Sequence, residues 1–402
     1  MSTPIVPPPT RRLAVLHAVP HWLPQTATWL HNQVRFLPDS VESHVFCETA
    51  GNLDQFPVEN LHVLRRSPAR FFWDRGLRRL GVRPFLGAVG EVARRTGARI
   101  LHSHFGNVGA VNVTPARNAG LAHAVTFYGL DVTFLPRENP RWLDRYCRLF
   151  ATCDRVFCEG PHMGRTIEAL GCPGEKIRVH HLGVAVDEIP FRPRRPDPGS
   201  PVRVLLAGSF REKKGFPIAL TALGRIRERF PLEITIIGDA PADERGVREK
   251  ARILEALRAN DLEGQTRLLG YQPHRTIFEE AERHHVFLSP SIHATDGDTE
   301  GGAPVSIIEM AASGMAIVST THCDIPEVVL DGKTGLLAPE GDVDGLAARL
   351  EHLLGHSETW PEMLRAGRDH VEREFDARRQ GAQLAGLYEE IIRDRSAGSG
   401  RA

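Results

Sequence analysis

The stretch Pro190-Phe-Arg-Pro-Arg-Arg-Pro-Asp-Pro-Gly-Ser-Pro201 divides the chain in two. Five prolines in twelve residues sustain neither a helix nor a central strand, because proline fixes φ and carries no amide hydrogen. On either side, short apolar, β-branched runs alternate with helical patterns. Before the break the runs fall at 13–19, 44–47, 100–105, 124–128, 156–158 and 177–184. After it they fall at 202–208, 232–238, 267–271, 286–289, 316–319 and 335–338, with helical segments at 217–230, 247–260, 305–313 and 343–354. Strands that are apolar on both faces and alternate with helices belong to parallel, doubly wound sheets. The pattern therefore predicts an α/β chain with a first domain over 1–189, a linker at 190–201 and a second domain over 202–375. Residues 376–402 follow as an amphipathic helix (378–393) and a disordered tail from 397, while residues 1–12 read as a floppy N-terminal tail.

The 402 residues suit two or three domains of about 100–200 residues each. Fifty Lys and Arg balance fifty Asp and Glu, so the chain lacks the basic excess of a dedicated nucleic-acid binder. With 41 % hydrophobic and 25 % charged residues, disorder as the main state is excluded. No run approaches the 18 or so apolar residues of a membrane span, and prolines stand where a signal peptide needs its apolar core. The expected location is the cytoplasm. Six cysteines without a C-x-x-C pair read as buried free thiols rather than a disulfide framework or zinc site.

Two facing Rossmann-like domains put their ligands at the carboxyl ends of the strands. Four sequences lie at such ends. In Gly208-Ser-Phe-Arg-Glu-Lys-Lys214-Gly a charged loop joins strand to helix, and Arg211, Lys213 and Lys214 add cations beside a helix N-terminus suited to phosphate. Its plainer reading is a solvated surface loop. In Asp296-Gly-Asp-Thr-Glu-Gly-Gly-Ala-Pro-Val-Ser-Ile-Ile-Glu309 an acidic, glycine-rich loop opens a helix. Glu309 there suits the two hydroxyls of a ribose or is a solvent-facing glutamate, and apolar neighbours on both sides favour the first. Asp296 and Asp298 form a D-x-D pattern, which holds a divalent cation or arises by chance in an acidic loop. In the first domain His104, Gly106 and Asn107 follow one strand, and Tyr128 and Asp131 another. They suit hydroxyl recognition or are buried structural groups. Seven arginines and four aromatics over residues 65–85, with one acid, suit an anionic membrane surface. The alternative is an ordinary helix with aromatics in the core, and Gly76, Gly81 and Pro84 are expected to interrupt it.

The ordered set Gly208 to Gly215, Ile236-Ile-Gly-Asp239, Leu269-Gly-Tyr271, Glu300 to Glu309, Ala312-Ser-Gly314, Ile325-Pro-Glu-Val328 and Asp331-Gly-Lys-Thr-Gly335 resembles glycosyltransferase family 4, with its two-domain GT-B fold. The acidic loop is similar to the bacterial exopolysaccharide and colanic-acid branch. The resemblance implies a retaining, metal-independent transfer from a nucleotide-diphosphate sugar, UDP before GDP, to a glycan or lipid-linked acceptor at the inner face of the membrane. Nucleic acid is not an implied partner. The resemblance assigns Lys214 to the donor diphosphate and Glu309 to the ribose; either Arg211 reaches in for the arginine absent at Ser209, or the leaving group is less well neutralised. Gly208, Ser209, Glu300, Gly301, Gly302, Ala303, Pro304, Val305 and Ser306 fall around the donor, and Tyr271 and Gln272 by its base. His104, Gly106, Asn107, Tyr128 and Asp131 fall on the acceptor side. Three departures stand out. Ser209 replaces the family's arginine. Eight residues rather than seven separate Glu300 from Glu309, and Tyr128 replaces a histidine. A nucleotide-sugar epimerase or hydrolase, or a degenerate nucleotide-sugar-binding protein, are the alternatives.

Overall fold

Two all-parallel sheets stand face to face in the computed structural model, which describes residues 12–24, 27–83 and 85–399. The tail expected over 1–12 lies outside them apart from Arg12, as does Pro84. The first sheet contains β1 (Leu13–Trp22), β2 (Val41–Ala50), β3 (Leu61–Val63), β4 (Ile100–His104), β5 (Ala122–Thr126), β6 (Arg155–Cys158) and β7 (Ile177–Val179), in the order β3-β2-β1-β4-β5-β6-β7. The second contains β8 (Val202–Ala207), β9 (Leu232–Ile237), β10 (Thr266–Leu268), β11 (Val286–Ser289), β12 (Ala316–Thr320) and β13 (Leu336–Ala338), in the order β10-β9-β8-β11-β12-β13. Strand order reverses between β1 and β4 and again between β8 and β11. At each reversal the following loops diverge and leave a crevice.

The central strands are buried on both faces because helices cover both. Val204 and Leu206 pack with helix Phe216–Ile226 on one side of the second sheet, and Leu205 and Ala207 with helix Val305–Ser313 on the other. The only strand absent from the sequence pattern is β3, a half-buried three-residue edge with too little apolar alternation to register.

The chain passes between the sheets twice, side by side. Val184 donates to the Phe375 carbonyl at 2.9 Å, and the Ala377 amide returns to Val184 at 2.8 Å. This passage precedes the prolines, because Val184, Val186 and Ile189 already belong to the core of the second unit. The proline-rich segment is not a free tether: Arg192 bonds the Ser313 carbonyl and Arg194 both the Ser313 hydroxyl and the His284 carbonyl. Helix Ala377–Ser399 then packs Leu384, Ala385, Tyr388 and Ile391 on the first sheet. It outruns the expected end at 393 and takes in residues 397–399, since no proline stops its hydrogen-bond ladder.

Residues 65–85 also differ from expectation. Helix Pro68–Arg79 continues through Gly76. Its single acid, Asp74, is buried and gathers Arg83, Arg70 and the Ala88 amide, anchoring the next turn. Phe71 faces the core, whereas Phe72, Trp73, Leu80 and Val82 stand 62–78 % exposed. Of the cysteines, Cys147 is exposed and Cys323 half-buried; the other four are buried.

Candidate functional site

A crevice of about 310 Å³ opens where the β8/β11 reversal faces the first unit. The β8 loop lays a 3-10 turn, Glu212–Lys214, across its floor. Gly215 then takes a left-handed φ of 64°, and a Cβ there would stand 1.9 Å from the Pro290 carbonyl oxygen, so only glycine fits. That turn aims Lys213 and Lys214 into the crevice. Lys214 Nζ meets Glu300 Oε1 at 2.8 Å, and Lys213 Nζ meets the Thr299 carbonyl at 2.9 Å and Asp298 at 3.2 Å. Burial alone would raise the Glu300 pKa. The Lys214 and Lys213 charges, with hydrogen bonds from Lys214 and Ser291, bring it down to about 2. His322 steadies the loop from behind: its Nε2 accepts the Glu300 amide at 3.2 Å while its Nδ1 bonds Glu340 at 2.9 Å.

Ala303, Pro304, Val305 and Ser306 line the crevice at the N-terminus of helix Val305–Ser313, whose free amides favour an anion. Glu309, one turn in, is 5 % exposed and bonds His274 Nε2 at 2.8 Å. Burial opposes a charge on His274, but the hydrogen bond and charge of Glu309 carry its pKa above the ordinary value. Tyr271 and Gln272 stand at the mouth, Tyr271 half-exposed and Gln272 tied to the Leu269 carbonyl. Gly208 and Ser209 complete the floor.

The opposite wall is Trp29, Tyr128 and Glu159. Trp29 packs against Tyr128 with tilted rings, centroids 4.2 Å apart, and Phe105 closes the cluster from a φ of 78°, a backbone state strained for an aromatic residue. Burial, then the charges of Asp324, Asp131 and Glu300, push the Glu159 carboxyl well above its usual range. The two walls touch. A Cβ on Gly301 (φ 79°) would sit 2.3 Å from the Gly129 Cα, and Asp324 caps the amides of His162 and Met163 at 2.7 and 3.1 Å.

Several expected groups lie elsewhere. Arg211 does not replace the missing arginine at Ser209: it forks onto Asp243 at 2.7 and 2.5 Å, the residue that caps helix Glu244–Ala259. Gly301 and Gly302 press on the first unit instead of lining the crevice. Asp296 and Asp298 are paired with Arg245 at 2.7 and 2.9 Å. His104 is fully buried, and Asp131 spends both oxygens on backbone amides, Gly106 at 2.6 Å and Tyr128 at 3.0 Å. Both are structural. Burial lifts Asp131 to about 6 against those amide bonds. Asn107 faces a neighbouring cavity. His274, Trp29 and Glu159 were not singled out in the sequence. His274 had a trace there, three residues beyond Tyr271 at the start of a helix, whereas the other two are placed only by tertiary packing.

Comparison with known proteins bears on this geometry. The chain is 32 % identical over 300 residues to the amylovoran biosynthesis glycosyltransferase AmsK of Erwinia amylovora, covering 73 % of this chain and 70 % of that one. The family description "Glycosyltransferase Family 4" matches residues 26–188, and "Glycosyl transferases group 1" matches residues 201–356. The chain belongs to glycosyltransferase family 4. WcaL of Salmonella typhimurium, named for colanic acid biosynthesis, is 30 % identical over 308 residues, 75 % of this chain and 73 % of its own. Among solved structures, Anabaena HepE in complex with UDP and glucose superposes with a TM-score of 0.74 at 15 % identity, covering 94 % of this chain and all of that one. Sucrose-phosphate synthase of Thermosynechococcus elongatus gives 0.72 at 16 %, covering 95 % of this chain and all of its own. The architecture of this family 4 glycosyltransferase is thus GT-B, its crevice the cleft between the two units.

Proposed function

We propose that this glycosyltransferase moves a hexose from a nucleotide-diphosphate donor, a UDP-sugar before a GDP-sugar, to a glycan or lipid-linked acceptor, with retention of configuration and without a metal. The observation that carries the reading is the convergence of Lys213, Lys214, the Val305–Ser313 N-terminus and the Glu309–His274 pair in one crevice. Cations and helix amides oppose the charge that develops on a departing diphosphate, the task a metal performs in other transferases. Asp296 and Asp298 are engaged by Arg245 and Lys213, so the charge compensation here is built from side chains. Glu309 accepts the ribose hydroxyls, and the half-exposed Tyr271 offers its ring to the base.

The acceptor lies against Trp29 and Tyr128. Burial, with the charges of Asp324, Asp131 and Glu300, disfavours the ionised form of Glu159, and the departing diphosphate is the oxyanion we assign to take the proton of the attacking hydroxyl. The names of AmsK and WcaL support a role in bacterial exopolysaccharide synthesis, and the UDP held by HepE supports the donor. No helix among the described residues is long and apolar enough to cross a membrane. Helix Pro68–Arg79, with Phe72, Trp73, Arg75, Arg78 and Arg79 exposed, lies on the inner membrane face, at about 1 kcal/mol per cation near an anionic surface.

The test is a thermal-shift panel of UDP, GDP and ADP on wild type, Lys214→Ala and Arg211→Ala. A ligand at about 100 times its Kd stabilises by about 2.7 kcal/mol, a shift of a few degrees. UDP is expected to shift wild type and Arg211→Ala alike and to leave Lys214→Ala unmoved. No shift with any nucleotide refutes the donor site. Release of free sugar or an epimer, at a rate an acceptor does not alter, refutes transfer.

A further inference from the structure

The first sheet has a reversal of its own, between β1 and β4, that the chemistry above leaves unused. A cavity of about 630 Å³ opens there beside the cleft, twice the size of the donor crevice. Its walls are mainly apolar, with Asn107, Asn112 and Thr114 among them: Phe46 and Val108 meet Leu86 and Val89 of the next layer, and Val111 closes one side. Its rim is cationic. Arg78, Arg145 and Arg148 line it against a single carboxylate, Glu48, which Arg78 already engages at 3.1 Å and Arg75 approaches at 3.9 Å. Arg145 rests on the Trp142 ring at 4.4 Å, and Arg148 donates to the Asp144 carbonyl. Among the described residues neither forms an ion pair with a carboxylate.

This mixture selects among ligands. A free sugar chain calls for a dense array of hydrogen-bond partners, not a valine and leucine wall. A neutral acyl chain leaves three guanidinium groups with nothing to neutralise. Guanidinium forks match phosphate oxygens, and the apolar wall matches an aliphatic tail. The helix that supplies Arg78 also carries the exposed Phe72 and Trp73, so the same element reaches both the cavity and the solvent-facing apolar patch.

We propose that this cavity seats a lipid-linked diphosphate, the arginines holding the diphosphate and the apolar walls the first part of the aliphatic chain. The proposal rests on the reading of the chain as a transferase with a lipid-linked acceptor. Asn107 lines the cavity, and the preceding Gly106 amide shares the Asp131 carboxylate with the Tyr128 amide of the cleft wall. A sugar attached to the held diphosphate is thereby directed to the Tyr128 side of the cleft.

Calorimetry on the full chain with farnesyl diphosphate, farnesol and inorganic diphosphate, each with and without saturating UDP, tests it. Farnesyl diphosphate is expected to bind at least about tenfold more tightly than either part alone, with an affinity that UDP does not change. Charge reversal of the exposed pair, Arg145→Glu with Arg148→Glu, and filling of the cavity by Val111→Trp are each expected to weaken it about tenfold while UDP affinity holds. Displacement by UDP, equal binding of inorganic diphosphate, or no binding to a protein that does bind UDP overturns the proposal. Binding of farnesyl diphosphate by a chain that takes no nucleotide supports the cavity and refutes the reading of the cleft.

Discussion

Replacing Lys214 by methionine removes the main partner of Glu300, a carboxylate only 7 % exposed. Lys213 remains, but at 4.0 Å. Against the burial that would raise it, Lys214, more than Lys213 and Ser291, lowers the Glu300 pKa from 4.5 to about 2, and the whole depression is worth about 3 kcal/mol at neutral pH. Leaving one buried charge unpaired costs about 3–5 kcal/mol, so Lys214→Met is expected to destabilise the second unit by about 3 kcal/mol. Glu300→Gln in the same chain should recover most of it, because no charge is then stranded. The coupling in the double-mutant cycle is expected at about 2 kcal/mol. Folding lowers this pKa, so between about 2 and 4.5 the folded chain binds fewer protons than the unfolded one. The contribution is complete above pH 4.5 and vanishes as the pH falls toward 2. Trp360 is the only tryptophan beyond the crossing, so urea unfolding followed by fluorine NMR of 5-fluorotryptophan at that position isolates the second unit. A coupling below about 0.5 kcal/mol, or a gap between wild type and Lys214→Met that persists unchanged down to pH 3, refutes the assignment.

Two further perturbations probe the cleft. His274 should titrate above its ordinary 6.5 because of Glu309, so its share of stability is present below 6.5 and lost as the pH rises through the folded value. An NMR titration of the ring that finds a midpoint at or below 6.5, or one that Glu309→Gln leaves in place, contradicts the pair. Gly301→Ala adds a Cβ 2.3 Å from the Gly129 Cα at a left-handed φ, and is expected to part the two walls. X-ray scattering should then report a larger radius of gyration and steady-state assays a transfer rate down about tenfold or more; an unchanged radius defeats the idea that these glycines hold the walls together.

Among the described residues the central strands were legible because both faces are covered, so the sequence carries apolar runs there. The edge strands β7 and β10 are partly exposed and were legible through the strand–helix alternation around them. The second unit's side of the crevice was partly legible for a related reason. Lys213, Lys214 and the residues from Ala303 to Glu309 lie on two short segments, a strand-to-helix turn and a loop that opens a helix, and local rules place side chains there. Arg211 defeated that logic. Its spacing from Gly208 suited an anion, but Asp243, thirty-two residues away, offered two carboxylate oxygens and took it. His104 and Asp131 failed in the same way, since the end of a strand points toward a cleft without saying whether the side chain reaches solvent. The crossing at Val184 was displaced from the prolines because proline marks where regular structure stops, not which core the flanking residues join.

Tyr128, where the resemblance leads one to expect a histidine, is held in a line of hydrogen bonds that fixes its role. Tyr128 gives its one hydroxyl proton to Gln33 Oε1 at 3.1 Å, so the His104 Nδ1 at 2.6 Å must donate to the phenol oxygen. His104 Nε2 then accepts from His17 Nδ1 at 3.0 Å, and on the other side Gln33 passes its amide to His180, whose Nε2 ends on the Gln380 carbonyl at 3.0 Å. Each donor is used once and every imidazole in the line is neutral. Burial agrees, holding His17 at about 3 and His180 at about 4. A proton added to His104 or His180 would leave two donors facing each other, so the line resists protonation across the working pH range. Tyr128 is therefore a fixed neutral wall, its proton turned away from the cleft and its ring paired with Trp29. Charge in the proposed transfer is managed by the second unit, where Lys213, Lys214 and the helix amides already surround the place a diphosphate would occupy.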